Sequence, residues 1–182
     1  MEQVILVDVD DCEIGVMEKM EAHKLAVLHR AFSVFLFNPQ GKMLLQQRAL
    51  TKYHSAGLWT NTCCSHPRPG EILENAVSRR LIEEMGITAK VYKAFDFIYQ
   101  AELPDHLNEH EFDHVFIGNF DDEVRPNHLE VANFVYQSIE EIDANLQSHP
   151  EKYTVWFKIA FPLLVFVSTP ACPLLIQFFD KQ

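Results

Sequence analysis

The sequence predicts an α+β fold, a mixed sheet with helices packed around it. Two observations carry that reading. Short runs rich in Phe, Val and Ile recur along the chain, divided by turn residues, as strands require. Other segments show apolar residues every four positions, or a capping box, as helices require. No internal repeat, low-complexity tract or shift of composition divides the 182 residues, so a single domain over 1–182 is expected.

Residues 3–9 alternate in part and read as a strand. Residues 32–37 read as a second. Asn38-Pro39-Gln40-Gly41-Lys42 is turn chemistry, which makes residues 43–47 the expected hairpin partner. Residues 70–85 read as a helix with Leu73, Val77, Leu81 and Met85 as its buried stripe, and Gly86 suits the position after its end. Residues 95–99 and 112–120 read as strands flanking a polar loop, and 134–136 as a further strand. Ser138-Ile139-Glu140-Glu141 is a capping box that opens another helix. Residues 153–167 read as the last long helix, interrupted near Pro162.

Composition narrows the function. A net charge of -11 argues against nucleic-acid binding, which needs a basic surface. An anionic substrate would have to be drawn in by a local basic cluster or by metal ions. Cysteines stand at 12, 63, 64 and 172 with no C-x-x-C spacing, so neither a disulfide framework nor a zinc ribbon is expected. The residues after Met1 form no basic n-region. The most apolar run, 159–167, is too short to span a membrane. The cytoplasm is the expected compartment.

Two segments carry chemistry. Thr60-Asn61-Thr62-Cys63-Cys64-Ser65-His66-Pro67 puts a thiol two residues from an imidazole. Arg79-Arg80-Leu81-Ile82-Glu83-Glu84-Met85-Gly86-Ile87 puts paired carboxylates in the last turn of a helix, where they oppose its dipole. Glu83 and Glu84 can pair with Arg79 and Arg80 across one turn. They can also hold a divalent cation beside a phosphate ester, since such cations take oxygen ligands.

The second segment resembles the Nudix signature, G-x5-E-x7-R-E-U-x-E-E-x-G-U, where U is bulky and apolar. Glu71, Arg79, Leu81, Glu83, Glu84, Gly86 and Ile87 fall in phase with it. Ser65 stands where its first glycine belongs, and Arg80 stands where its second glutamate belongs. The altered box resembles the type 1 isopentenyl-diphosphate isomerase branch. So do Ala22-His23, Leu28-His29-Arg30-Ala31-Phe32-Ser33, Cys64-Ser65-His66-Pro67 and Glu109-His110-Glu111. The resemblance spans about 19–156. It implies a Nudix-like mixed sheet and an enzyme that interconverts isopentenyl and dimethylallyl diphosphate through a tertiary carbocation.

Carried over position by position, the resemblance implies these roles. His23, His29, His66, Glu109 and Glu111 hold one tight divalent metal, for which a mixed N/O set suits Mn or Zn, with Mg possible. Alternation in an extended chain puts Glu109 and Glu111 on one side and His110 on the other. Cys64 and Glu111 move the protons, and Tyr99 hydrogen-bonds Glu111. Trp156 faces the cationic carbon. Lys19, Arg48, Lys52 and Arg80 grip the diphosphate, and Glu84 joins it through Mg. Cys63 is expected to face away from the site, and Trp59 to be a structural anchor. His54, His106, His110, His114, His128 and His149 are expected to be ordinary polar residues. The partner is a small isoprenoid diphosphate, and the chain a monomer or weak dimer.

Two rival functions remain at this stage. A Nudix hydrolase of a nucleoside or prenyl diphosphate would have no use for Cys64 with Glu109 and Glu111. A non-catalytic metal- or phosphate-binding module would not need the thiol, the tyrosine and the tryptophan together.

Overall fold

A computed structural model of the chain describes residues 2–104 and 107–167. The tail after Val167, including Cys172, and His106 lie outside the described residues. Nine strands form one mixed sheet: β1 Gln3–Val7, β2 Glu13–Glu18, β3 His29–Phe37, β4 Met43–Arg48, β5 Trp59–Thr60, β6 Cys63–Ser65, β7 Val91–Leu103, β8 Leu107–Asn119 and β9 Val131–Gln137. The helices are α1 Lys19–Leu25, α2 Leu73–Met85, α3 Ile139–Ser148 and α4 Val155–Val167.

The hub is β3. Its sequence His-Arg-Ala-Phe-Ser-Val-Phe-Leu-Phe is almost unbroken in apolar residues, as a strand covered on both faces requires. It runs parallel to β8 over nine residue pairs, from His29↔Glu111 to Phe37↔Asn119. It pairs antiparallel with β1, β4 and β6. Strand alternation then splits the core in two. Phe35, Phe37, Val115 and Ile117 pack with α4 through Trp156, Phe157, Ala160, Phe161 and Leu164. Phe32, Val34, Leu36 and Phe116 pack with α2 through Ala76, Val77, Leu81 and Met85. Each fully buried Leu or Phe of this kind contributes about 1.5–3 kcal/mol relative to exposure.

Several expectations change. The turn at 38–42 forms, yet β3 and β4 share only the pair Phe37↔Met43. Beyond it β4 turns to β9 and β5, so the expected hairpin is only a corner. Helix α2 starts at Leu73, not at 70, because Gly70 adopts φ +75 in the preceding turn. The polar segment between the two central strands is itself extended: β7 and β8 form a long antiparallel hairpin that pairs Ala101 with Glu109 and Tyr99 with Glu111. The last helix runs on through Pro162. Strand β2 and helix α1 had no periodic signal. The capping box is present, with Ser138 and Glu141 bonded reciprocally.

Candidate active site

Four side chains converge at one end of β3. His23 comes from α1, His29 from the first position of β3, His66 from just beyond β6, and Glu111 from β8, opposite His29. One ligand atom of each lies within 4.8 Å of the others. The chain also fixes the imidazole tautomers. His23 Nδ1 is 2.7 Å from the Lys19 carbonyl and His29 Nδ1 is 2.8 Å from the Val27 carbonyl. A carbonyl only accepts, so both Nδ1 atoms carry hydrogen and both Nε2 atoms present lone pairs in the neutral ring. His29 Nε2 then faces Glu111 Oε1 at 3.6 Å with no hydrogen-bond partner. Lone pair against carboxylate is an arrangement that calls for a cation, so the set fits a divalent metal.

Charge in this pocket follows burial. Desolvation lowers His23, and it lowers His66 to about 4 despite the Glu111 hydrogen bond at 2.9 Å. Burial also raises Glu111, but the His29 and His66 imidazoles beside it, His66 by a hydrogen bond, outweigh it and hold that carboxyl well below its usual range. Its neighbour Glu109 goes the other way, raised by burial and by the Glu111 charge. The Tyr99 hydroxyl reaches Glu111 at 2.7 Å and Glu109 at 3.0 Å. Glu109 thus joins through Tyr99 and stands outside the four-residue ligand group. His110 points away and bonds the Ala26 carbonyl at 2.9 Å, as alternation requires.

Beside this cluster lies a cavity of about 390 Å³. Lys19, Arg48, Lys52 and Arg80 all line it, against the carboxylates of Glu2, Glu84, Glu109, Glu111 and Glu130. Three of the cations are already paired: Lys19 with Glu2 at 3.2 Å, Lys52 with Glu130, and Arg80 with Glu83, Glu84 and Glu130. The Nε hydrogens of Arg48 and Arg80 are nevertheless buried without an acceptor. Four cations thus face five carboxylates in this cavity, so its formal charge is not positive.

Alternation along β6 separates the two thiols. Cys63 is fully buried in the α2 core, while Cys64 lines the cavity. Burial pushes the Cys64 thiol up to about 12, with Arg48 opposing and Glu84, Glu111 and Glu109 adding to the rise. It is therefore held as a thiol. Trp156 is buried at the cavity wall, with the Arg48 guanidinium 5.2 Å over its ring and its Nε1 hydrogen unpaired.

Residues 27–157 match the NUDIX domain. The isopentenyl-diphosphate Delta-isomerase 2 of Photorhabdus laumondii is 52% identical over 157 residues, 86% of this chain and 89% of that protein. The isopentenyl-diphosphate Delta-isomerase of Serratia proteamaculans is 49% identical over 156 residues, 86% of this chain and 87% of that protein.

The chain belongs to the Nudix isopentenyl-diphosphate isomerase family.

Solved structures agree on the fold: DR0079 from Deinococcus radiodurans has a TM-score of 0.68 at 18% identity, covering 81% of this chain and 90% of its own. A MutT protein from Methanosarcina mazei gives 0.65 at 22% identity, covering 78% and 96%. All the sequence-derived site residues of this isomerase-family chain except Tyr99 and His29 line the cavity, and those two contact Glu111, which does. Trp59 anchors instead, its carbonyl accepting from Thr154 N at 3.0 Å.

Two histidines are not the ordinary exposed residues expected. His54 lines the cavity, edge-on to Trp156 with centroids 5.9 Å apart. Burial, then the Arg48 charge, lowers it to about 3. His114 is buried, 3.1 Å from Asp11. Glu2, Tyr53 and Glu130 also line the cavity and carried no signal in sequence. Their roles come from distant strands and loops meeting, which no local spacing records. No helix among the described residues is long and apolar enough to cross a membrane.

Proposed function

We infer that this chain is an isopentenyl-diphosphate isomerase, moving the double bond of a five-carbon isoprenoid diphosphate in isoprene biosynthesis. One observation carries the reading: Cys64 and the Tyr99-bonded Glu111 share a single cavity with a His/Glu cluster and four cations. In the forward direction one proton adds to the terminal alkene carbon and leaves a tertiary cation. A second proton then leaves the carbon next to the one bearing the diphosphate oxygen, and the shifted double bond forms there.

Two positioned groups are needed for these transfers. We assign them to Cys64 and Glu111, which stand on β6 and β8, strands that flank β3 from opposite sides. Tyr99 hydrogen-bonds the Glu111 carboxylate and holds its orientation. Lys19, Arg48, Lys52 and Arg80, which line the cavity, are assigned to the diphosphate. A divalent metal, Mn, Zn or Mg, on His23, His29, His66 and Glu111 supplies the positive charge that lets Glu109 and Glu111 share a buried site. A magnesium ion carried in with the diphosphate is assigned to Glu84. Trp156, at the cavity wall, is assigned to stabilise the cationic carbon through its ring.

Hydrolysis fits this chain less well. Arg80 replaces a box carboxylate and its guanidinium bonds Glu83 and Glu84, the carboxylates that remain. The test is product analysis after incubation with isopentenyl diphosphate and magnesium in deuterated water. Dimethylallyl diphosphate carrying deuterium is expected. Release of inorganic phosphate or diphosphate would assign hydrolysis instead, and recovery of unlabelled substrate would leave only binding.

A further inference from the structure

Glu130 belongs to none of the roles above, yet it touches two of the four cations. It stands just before β9, and its position is set by backbone bonds. Its N–H donates to the Asn127 carbonyl at 2.9 Å, and its own carbonyl accepts from Ala49 N at 2.9 Å. Asn127 N in turn donates to the Glu84 carbonyl at 2.8 Å, which ties this turn to the end of α2. A single oxygen, Oε2, meets both Lys52 Nζ and Arg80 Nη2, the latter at 3.4 Å. The side chain is three-quarters buried.

A phosphate oxygen that binds Lys52 and Arg80 together must take the place of that oxygen. The displaced carboxylate remains in the cavity wall and repels the incoming anion, in a pocket where four other carboxylates already match the four cations. A divalent cation on the diphosphate offsets this repulsion. We propose that Glu130 is a specificity-determining residue, a carboxylate stand-in for a phosphate oxygen that makes the site accept cation-complexed diphosphate and reject the bare anion. The proposal rests on the diphosphate reading of the cavity and adds to it a reason for the cation requirement.

Binding of inorganic diphosphate tests this by calorimetry, using protein as isolated with its own tight metal retained. Each variant is titrated with and without added magnesium. Wild type should bind the magnesium complex well and the free anion poorly. Glu130→Gln should bind the free anion at least about tenfold more tightly than wild type, since close charge pairs couple by more than that factor. With magnesium saturating, the two proteins should agree within about threefold, the residual expected once the repulsion is offset. Glu130→Asp keeps the charge and should keep the magnesium dependence; its loss there would assign the effect to shape and overturn the proposal. Unchanged or weaker binding of the free anion by Glu130→Gln, with wild type still binding the complex, would overturn the stand-in alone. If wild type binds neither form, the diphosphate reading falls, and the proposal with it.

Discussion

The two adjacent cysteines give the sharpest comparison at the scale of single residues. Cys63 fills the α2 core and Cys64 faces the cavity, although the two differ by one position. General acid–base groups contribute roughly 10²–10⁴ in rate, so Cys64→Ala should lower kcat at least ~100-fold with metal content unchanged. Cys63→Ala should leave kcat near wild type and cost stability instead, as loss of a buried side chain does. A dispensable Cys64 with an essential Cys63 would reverse the assignment of the two faces. Trp156 allows a second comparison, because Arg48 already lies over its ring. If the indole also steadies a cationic carbon, turnover should fall in the order Trp, Phe, Leu, spread over the ~0.5–2 kcal/mol that such contacts supply. Equal turnover for Leu at equal melting temperature would reduce Trp156 to a wall.

Helix α2 is the element on which fold and site depend together. Its buried stripe holds the sheet, while the adjoining row carries Arg80 and Glu84 into the cavity. Its end is closed by Gly86 at φ +64, with the Gly86 N–H donating to Ile82 O and Ile87 N donating to Leu81 O. A Cβ there would run into the Arg125 carbonyl. Left-handed backbone alone costs other residues about 1–2 kcal/mol, so Gly86→Ala should lower the melting temperature by several degrees. A neutral result would mean that the turn around Arg125 yields freely.

Before the helix, Glu71 accepts from Arg79 Nε at 2.7 Å and Nη2 at 2.8 Å. The Arg79 hydrogen bonds hold the Glu71 carboxyl down at about 2, from a usual 4.5. A depressed carboxyl stabilises the fold above its unfolded value and loses that contribution as pH falls through the folded one. Glu71→Gln should therefore melt below wild type at pH 6, with the gap closing between about pH 4.5 and 2. A gap independent of pH would mean that shape rather than charge is at work.

For the whole molecule, a metal on the His/Glu cluster would act as a cross-link. His23 and His29 come from the adjoining α1 and β3, while His66 follows β6 and Glu111 lies on β8, both far along the chain from them. A ligand bound only by the folded state stabilises it by mass action. Chelation should therefore lower the melting temperature and abolish turnover together, and restoring Mn, Zn or Mg should recover both. His66→Ala should lose stoichiometric metal and melt near the chelated wild type. Full metal retention in that variant would remove His66 from the cluster.

Local periodicity was enough for much of this. The buried stripe of α2, its terminating Gly86, the capping box at Ser138, the shared side of Glu109 and Glu111 and the opposite facing of Cys63 and Cys64 all depend on neighbours a few residues away. The ordered motifs from Lys19 to Trp156 were likewise legible, because a chemical requirement leaves the same residue types at the same spacing. Pairing over long sequence separations was not. Nothing local told β3 to run beside β8 rather than β4, because many buried apolar strands are compatible with either partner. Nothing local told the short α1 to form, since seven residues are held as a helix only by what they pack against. Only the assembled sheet brought Glu2, Tyr53, His54 and Glu130 to the cavity and left Glu109 one tyrosine away from the ligand cluster. Which side chains share a pocket is decided by strand register and loop closure, and those are properties of the packed whole.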